Sequence, residues 1–292
     1  MTELNGESLR IAVQNSGRLT GPSLELLHGI GLDFEDQDRK LFSRCRNFDL
    51  ELLFIRDDDI PEYVQDGVAD LGIVGQNVVR EEEAEVEELQ ELGFGQCSLK
   101  LAVPEESGAR SARDLAGSRI ATTHPVSLRR YLEERDVEAD VITIRGAAEV
   151  TPVLDVADAV CDLVSTGTTM RMHDLEPIET LWDSQAALVA NPASLEVADR
   201  RELIDRLGVR LRGLLDAKQM KYVTLNAPRS ALSEIEEILP GMKSPTVVPL
   251  AEEDMVALHA AVKEEVFWDV MERIKEAGGS EILVLPVEKV MR

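Results

Sequence analysis

The chain has 292 residues, enough for two or three compact units, and its 44% hydrophobic content with 4% aromatic residues predicts a core of aliphatic side chains. Its formal net charge of −25 argues against nucleic acid and anionic membranes as partners, because both repel an acidic surface. A site for a phosphorylated ligand would have to gather positive charge locally, from arginine, helix N-termini or a divalent metal.

The first part of the chain alternates predicted strands and helices. LRIAV (9–13) predicts a strand that leads through a loop into a helix, and ELLFIR (51–56) and ADLGIVG (69–75) predict two more strands with a helix starting near Pro61 between them. The aspartates Asp58 and Asp59 before that helix are best explained as helix caps. This alternation favours a mostly parallel sheet covered by helices.

A second set of alternating elements begins at SLKLAVP (98–104) and runs through DVADAVCDLVS. The segment 175–192 then predicts strands that return to the first unit, so the second unit would be an insertion within the first. We therefore expect two α/β lobes with a cleft between them. Lobe I takes residues 1–97 and 187–213, and lobe II takes residues 98–186.

The C-terminal part has a different pattern. After a helix predicted at 200–219, the order is β-α-β-β-α-β, with Gly278 and Gly279 closing the last helix. This order is typical of a ferredoxin-like small domain, which we place at 214–292. Such a domain indicates regulation or assembly, although a fold alone does not define a function.

Cysteine and histidine spacing indicates no metal centre. The three cysteines lie far apart without a CxxC pair, and the four histidines lack zinc-type spacing. No signal peptide precedes the first predicted strand, and no apolar run approaches the roughly 20 residues that span a bilayer. We expect a cytoplasmic protein whose acidic runs, such as EEEAEVEE (81–88), form a solvated surface adapted to high salt.

The loop DLVSTGTTM (162–170) is the first candidate site. Its small and hydroxylated residues let backbone N–H groups approach an anion and add hydroxyl donors without bulk. A plain turn is the simpler interpretation of such a composition. However, the loop follows a strand-like Leu-Val pair, which would place it at the carboxyl edge of a sheet, where α/β proteins bind ligands. Three carboxylates flank it and could accept from sugar hydroxyls or hold Mg²⁺: Glu149, Asp158 and Asp162.

Two further segments put polar groups at predicted strand ends. NSGRL (15–19) presents Arg18 on a glycine turn, where a solvated arginine is the simpler interpretation. Arg56 follows a strand and could hold phosphate. Asp70 and Asn77 bracket a predicted strand, where a carboxylate and an amide could read a heterocycle. No catalytic triad, Walker motif or GxGxxG sequence is present, so covalent catalysis has no positive support.

Six segments together resemble the long-form ATP phosphoribosyltransferase family, in order and spacing, across nearly the whole chain. They are QNSGRL, RDDDIP, DGVADLGIVGQN, ADAVCDLVSTGTTM, SPTVVPLA and ILVLPVEKV. The resemblance implies the first step of histidine biosynthesis, in which N1 of the adenine of ATP displaces pyrophosphate from phosphoribosyl pyrophosphate, with Mg²⁺. It also implies a catalytic body like periplasmic binding proteins, a C-terminal ACT-like domain that binds histidine as inhibitor, and a homo-oligomer that passes from dimer to hexamer.

The same resemblance assigns roles to individual residues. The loop that begins at Asp162 would cradle the 5′-phosphate of phosphoribosyl pyrophosphate, and Glu149 and Asp162 match acidic positions near the ribose. With Arg18, these two carboxylates are the predicted catalytic residues. The loop residues concerned are Ser165, Thr166, Gly167, Thr168 and Thr169.

The remaining assignments concern ATP and the effector. Arg18 and Arg56 would bind phosphate or pyrophosphate, and Asp70 and Asn77 would lie on the ATP side. Asn226 and Thr246 match effector contacts for histidine.

One departure from the family pattern stands out. Members of the family commonly carry a lysine before GRL, whereas this chain has Asn15 and Ser16. Three alternatives therefore stay open: a two-lobed small-molecule binding protein, a phosphoribosyltransferase with another acceptor, and a regulatory homologue without activity.

Overall fold

The computed structural model describes residues 8–35, 41–239 and 244–291 and divides into two compact units, residues 1–204 and 205–292. Residues 1–7 and 292, which the predicted domains include, lie outside the described ranges. Unit 1 contains two sheets, and unit 2 contains one. The predicted boundary between residues 213 and 214 lies within a helix that begins at residue 198.

The first sheet of unit 1 has the strand order β2-β3-β1-β4-β11-β5. Its strands are β1 (Leu9–Gln14), β2 (Phe42–Arg44), β3 (Leu50–Ile55), β4 (Leu71–Gly75), β5 (Glu87–Glu91) and β11 (Ala186–Ala190). The accompanying helices are α1 (Thr20–Gly29), α2 (Ile60–Gln65) and α3 (Gln76–Glu81). β1 runs parallel to β3 and β4, whereas β11 is antiparallel to β4 and β5. The parallel strands therefore direct their carboxyl ends to one edge of this sheet.

The second sheet of unit 1 has the order β10-β6-β9-β7-β8. Its strands are β6 (Cys97–Pro104), β7 (Arg119–Thr122), β8 (Asp140–Thr143), β9 (Ala159–Val164) and β10 (Leu175–Ser184). Its helices are α4 (Pro125–Glu133) and α5 (Thr168–Met172). β7 is parallel to β8 and β9, and β6 is antiparallel to β9 and β10. The elements built on the first sheet form lobe I, and those on the second form lobe II.

The chain passes between the lobes differently from the prediction. The segment 175–192 was expected to return to the first unit, but β10 pairs with β6 in the second sheet and only β11 joins the first. Local polarity favoured strands in this segment and did not reveal their partners, because pairing is a long-range property. The expectation that Asp58 and Asp59 cap α2 is also wrong, since neither side chain makes a capping hydrogen bond.

The core of lobe I lies around its central strands. Every residue of β4 and β11 is buried, as expected for strands covered on both faces. Gly72 lets α2 approach closely, because a Cβ at this position would lie 2.8 Å from Cγ2 of Ile60. This packing holds β4 and α2 firmly, so the loops at the carboxyl edge start from a rigid base.

Two helices follow β11: α6 (Pro192–Glu196) and α7 (Ala198–Lys218). Unit 2 then contains β12 (Met220–Pro228), α8 (Leu232–Ile238), β13 (Thr246–Pro249), β14 (Met255–Lys263), α9 (Phe267–Glu276) and β15 (Ser280–Pro286). The sheet order is β13-β14-β12-β15, all antiparallel. Buried residues of β12 and β14 pack with apolar residues of α8 and α9. The predicted β-α-β-β-α-β order is therefore confirmed.

Within the described ranges, none of the helices has both the length and the apolar character needed to cross a bilayer.

Candidate functional site between the two lobes of unit 1

The turn after β1 presents Arg18 at the carboxyl edge of the first sheet. Oε1 of Gln14 accepts a hydrogen bond from the backbone N–H of Leu19 at 2.9 Å, so the turn folds over the Gln14 side chain. Gly17 adopts φ +135°, and a Cβ there would lie 2.6 Å from Nε2 of Gln14. Only glycine fits this close approach. The strand end and the glycine therefore fix where Arg18 starts.

Arg18 contacts the hydroxyl-rich loop of lobe II. Its Nη1 donates to Oγ of Ser165 at 2.6 Å, although 147 residues separate the two in sequence. Both side chains are exposed. The structure thus brings together two segments that the sequence marked separately.

The loop between β9 and α5 is built on a left-handed glycine. Gly167 has φ +71° and stands at the N-cap of α5, while Oγ1 of Thr166 and Oγ1 of Thr168 lie 3.0 Å apart. Nη2 of Arg171 donates to the carbonyl of Thr166 at 3.3 Å, which adds a cation that the sequence had not suggested. Among the hydrogen bonds of the described ranges, none uses the backbone N–H of Thr166 or Gly167.

Thr169 lies within α5. Its place at the start of this helix is all that the structure describes of it.

Asp162 lies near the carboxyl end of β9, three residues before Ser165. Its Oδ1 accepts from Oγ1 of Thr123 at 3.0 Å and from the backbone N–H of Leu163 at 2.8 Å. Burial raises the pKa of Asp162, while the hydrogen bonds from Leu163 and Thr123 and the nearby His124 lower it. Glu149, in a short 3-10 turn, is near enough to raise this pKa further. The two predicted carboxylates therefore share one neighbourhood.

A polar chain links Asp162 to lobe I. Thr123 lies 2.8 Å from Nδ1 of His124, and Nδ2 of Asn77 lies 3.5 Å from Nε2 of the same ring. Burial lowers the pKa of His124, so the neutral ring is favoured. With its proton on Nδ1, the ring donates to Thr123 and accepts from Asn77, and Thr123 then donates to Asp162.

Asn77, predicted to contact ATP, therefore meets lobe II at the start of α3. The sequence analysis missed Thr123 and His124, and the only signal was a polar TTHP turn directly after a predicted strand.

Arg56 and Asp57 lie beside the Arg18 turn. Arg56 follows β3 directly and is exposed, and the neighbouring carbonyl of Ile55 accepts from the backbone N–H of Asn15 at 2.7 Å. Oδ1 of Asp57 is buried and has no hydrogen-bond partner in the described part of the chain. Burial first, and then Asp58, raises the pKa of Asp57 from 3.8 to about 6, while Arg18 opposes the rise.

Asp70 is not brought to this edge. It precedes β4, so it lies at the opposite end of that strand from Asn77. Oδ1 of Asp70 accepts from Oγ of Ser194 at 2.6 Å and from Nη1 of Arg200 at 2.7 Å, and its Oδ2 accepts from the backbone N–H of Arg10 at 2.8 Å. The carboxylate is buried, and its oxygens are engaged in holding the fold together.

Asp158 is likewise engaged elsewhere. Nη2 of Arg119 donates to Oδ1 of Asp158 at 2.8 Å, and Nε and the backbone N–H of Arg119 donate to its Oδ2. These hydrogen bonds lower the pKa of Asp158. The flanking carboxylates available to a ligand are therefore Glu149 and Asp162.

The predicted effector residues lie in unit 2 on different strands. Asn226 belongs to β12, and its Nδ2 donates to Oε2 of Glu281. Thr246 begins β13, is exposed and pairs with His259 of β14. β14 lies between the two strands, so Asn226 and Thr246 are not adjacent partners.

Two α/β lobes, with an arginine turn of one meeting a hydroxyl-rich loop of the other, define a catalytic body like periplasmic binding proteins, followed by a ferredoxin-like domain. The family model described as ATP phosphoribosyltransferase (HisG) matches residues 56–213, and the model of the HisG C-terminal domain matches residues 217–289. The chain is 42% identical over 284 residues to the ATP phosphoribosyltransferase of Cytophaga hutchinsonii, covering 97% of this chain and 99% of that protein. It belongs to the ATP phosphoribosyltransferase family, a family of transferases in histidine biosynthesis.

Solved structures show the same architecture. The ATP phosphoribosyl transferase (HisG:HisZ) complex from Thermotoga maritima matches with a TM-score of 0.61 and 26% identity, over 70% of this chain and 96% of that chain. The alkanesulfonate-binding protein SsuA from Xanthomonas axonopodis pv. citri matches with a TM-score of 0.46 and 13% identity, over 72% of this chain and 73% of that chain. The second similarity is too distant to support an inference about this chain.

Proposed function

We propose that this chain transfers the phosphoribosyl group of phosphoribosyl pyrophosphate to N1 of the adenine of ATP. A bond forms between N1 and the ribose C1, and the bond from C1 to the pyrophosphate oxygen breaks, with its electron pair leaving on pyrophosphate. The observation that carries the proposal is the 2.6 Å contact between Arg18 and Ser165, three residues after Asp162. A cation, several hydroxyls and a carboxylate at one place complement a phosphorylated sugar.

The loop of lobe II would hold the sugar phosphate. The backbone N–H groups of Thr166 and Gly167 are available to an anion, and the hydroxyls of Ser165 and Thr168 add donors. Arg171 lies against this loop through the carbonyl of Thr166. We assign to Arg171 part of the positive charge that the lysine before GRL supplies in relatives of the family.

Asp162 and Glu149 would act on the ribose. Oδ1 of Asp162 is already bonded to Thr123 and Leu163, and no hydrogen bond within the described ranges uses its Oδ2. Oδ2 can therefore accept from a ribose hydroxyl. A carboxylate fixed in a half-buried site also favours the positive charge that grows at C1 in an oxocarbenium-like transition state, because little solvent rearrangement is needed.

Arg18 and Arg56 would bind the departing pyrophosphate. They stand at the ends of two adjacent parallel strands, so their charges reach the same edge of lobe I. When substrate binds, Arg18 exchanges the Ser165 hydroxyl for a phosphate oxygen, which frees that hydroxyl to donate to the loop-bound phosphate. On the ATP side we retain Asn77, at the start of α3, and give Asp70 a structural role instead.

Mg²⁺ is proposed as part of the substrate. Within the described ranges, no group of three or more histidine, cysteine or acidic residues is arranged to hold a metal ion. Mg²⁺ prefers phosphate oxygens and water and is often held by one or two carboxylates only. These residues therefore fit an ion that arrives on the pyrophosphate, and we route no step through a resident metal.

Unit 2 is proposed to bind histidine as a feedback inhibitor, with Asn226 and Thr246 as contacts. Inhibition would act within a homo-oligomer that passes from dimer to hexamer. The support is the family membership together with the ferredoxin-like order of unit 2.

The test is product analysis with the purified full chain. ATP, phosphoribosyl pyrophosphate and Mg²⁺ are incubated at low and at molar salt, with and without histidine, and phosphoribosyl-ATP and pyrophosphate are quantified by chromatography. We expect both products in equal amounts, and less of both with histidine. Replacing ATP by other nucleobase acceptors tests the acceptor. Product with another acceptor only, or none at any salt, would overturn the proposal.

A further inference from the structure

The last residue of α3 caps a helix of the other lobe. Oε1 of Glu81 accepts from the backbone N–H of Val126 at 2.8 Å, and its Oε2 accepts from the backbone N–H of Ser127 at 3.0 Å. These N–H groups lie in the first turn of α4, where helical donors have no partner within the helix. The N-cap residue of α4, His124, makes no side-chain capping bond. A carboxylate from lobe I therefore supplies the cap that lobe II lacks.

The chemistry of this contact makes it strong for its size. Both hydrogen bonds involve a charged acceptor, and both lie at the positive end of the α4 dipole. Both are also partly buried, which limits competition from water. If the lobes separated, the carboxylate and the two donors would each return to solvent. The contact therefore favours the closed arrangement without being required for either lobe to fold.

Other contacts accompany it at the same place. The guanidinium carbon of Arg80 lies 5.0 Å from the ring centroid of Trp182 in β10, a cation–π geometry. The rings of His124 and Trp182 meet edge-to-face at 6.3 Å. With the contact from Asn77 to His124, three residues of α3 meet lobe II within a short distance in sequence. α3 is therefore the element of lobe I that registers the position of α4.

The start of α4 is connected to the proposed ribose site. α4 begins at Pro125, directly after His124 and Thr123, and Thr123 donates to Oδ1 of Asp162. Fixing the first turn of α4 therefore fixes the residues that orient this carboxylate.

We propose that Glu81 is a positioning residue that holds the two lobes closed through α4 and thereby sets the orientation of Asp162 for phosphoribosyl pyrophosphate. The part that concerns the substrate rests on the proposed function. The part that concerns the lobes does not. Because ligand that binds between lobes requires the closed arrangement, an apparent dissociation constant rises in proportion as the closed fraction falls.

The test compares Glu81→Gln, Glu81→Asp and a matched control, Glu82→Gln, in the full chain. Glu82 is the next residue along and is exposed, so its substitution removes the same charge and leaves the bonds to α4 intact. Lobe separation is measured by pulsed electron spin resonance between labels on Glu25→Cys and Glu133→Cys, which are exposed sites on α1 and α4. The native cysteines Cys45, Cys97 and Cys161 are buried and should resist labelling.

We expect the ligand-free distances of Glu81→Gln to shift longer, those of Glu82→Gln to match the wild type, and those of Glu81→Asp to lie between. Titration with phosphoribosyl pyrophosphate should return Glu81→Gln to the wild-type distance with a dissociation constant about tenfold weaker. If Glu81→Gln fails to fold, the intermediate shift of Glu81→Asp carries the test.

Unchanged distances in the Glu81 variants, or an equal shift in Glu82→Gln, would overturn the inference. A shift of the ligand-free distances in a protein that forms no phosphoribosyl-ATP would overturn the proposed function and leave the role of Glu81 in closing the lobes standing.

Discussion

Replacing Asp57 by asparagine is expected to stabilise this protein at neutral pH. Oδ1 of Asp57 is buried without a hydrogen-bond partner in the described part of the chain, and its pKa is raised from 3.8 to about 6, mainly by burial. That rise corresponds to about 3 kcal/mol in favour of the neutral form. The side chain is partly exposed, so solvent screening reduces the expected gain of Asp57→Asn to about 1 kcal/mol.

The sign of the pH dependence follows from the raised pKa. The folded protein binds the Asp57 proton more tightly than the unfolded chain between pH 3.8 and about 6. The stability that Asp57 contributes is therefore fully present below 3.8 and is lost as the pH rises through about 6. Asparagine does not titrate, so the variant should exceed the wild type most clearly above pH 6 and lose that advantage near pH 4.

The assay is unfolding of the ligand-free full chain in molar salt, at about pH 4 and about pH 7.5. Asp58→Asn is the control, because Asp58 is exposed and adjacent. We expect a higher midpoint for Asp57→Asn at the higher pH only, with a smaller effect for Asp58→Asn. An equal change at both pH values, or a loss of stability at neutral pH, would refute the argument that an unpaired buried charge dominates here.

Three other substitutions separate binding from stability. Asp162→Asn should weaken phosphoribosyl pyrophosphate about 10- to 100-fold in calorimetry, because a charged acceptor is lost, with little change in the unfolding midpoint; wild-type affinity would contradict its proposed role. Ser165→Ala should weaken the same ligand several-fold, at about 1 kcal/mol for one hydroxyl, and an unchanged dissociation constant would remove that hydroxyl from the site. Asp70→Asn should cost about 3 kcal/mol of stability by leaving Arg200 unpaired, yet keep the KM for ATP. A raised KM at unchanged stability would instead place Asp70 on the ATP side.

Much of the fold could be predicted because its signals are local. Strand and helix periodicity marked β1, β3 and β4, and the change of pattern after residue 219 marked the C-terminal domain. The partner of β10 could not be predicted, because LEPIETLWDS carries the composition of a strand and no information on which sheet accepts it. Strand pairing depends on contacts between distant segments, which no window of sequence contains.

The site shows the same division. Composition and spacing marked the Arg18 turn and the Ser165 loop individually, but their contact spans 147 residues. Asp70 and Asn77 looked equivalent because they bracket one strand. The two ends of a strand lie at opposite edges of its sheet, and ligands of parallel sheets bind at the carboxyl edge. That rule excludes Asp70 from the site and retains Asn77.

Some functional residues have no distinguishing sequence signal. Glu81 opens the run EEEAEVEE, which as a sequence indicates only a solvated acidic surface. Its importance comes from the first turn of α4, which another lobe presents to it. His124 is a single histidine in a turn, and its polar chain to Asp162 exists only once β7 and β9 pair.

An acidic chain can bind two anionic substrates if its carboxylates near the cleft are already engaged. Asp70 is held by Arg200, Asp158 by Arg119, and Glu81 by the first turn of α4. Burial shifts Asp57 toward its neutral form. These arrangements remove negative charge from the approach to the site without lowering the number of acidic residues. A few arginines at the strand ends can then dominate the local potential, because the net charge of −25 acts over longer distances, where salt screens it, and the arginines act at contact.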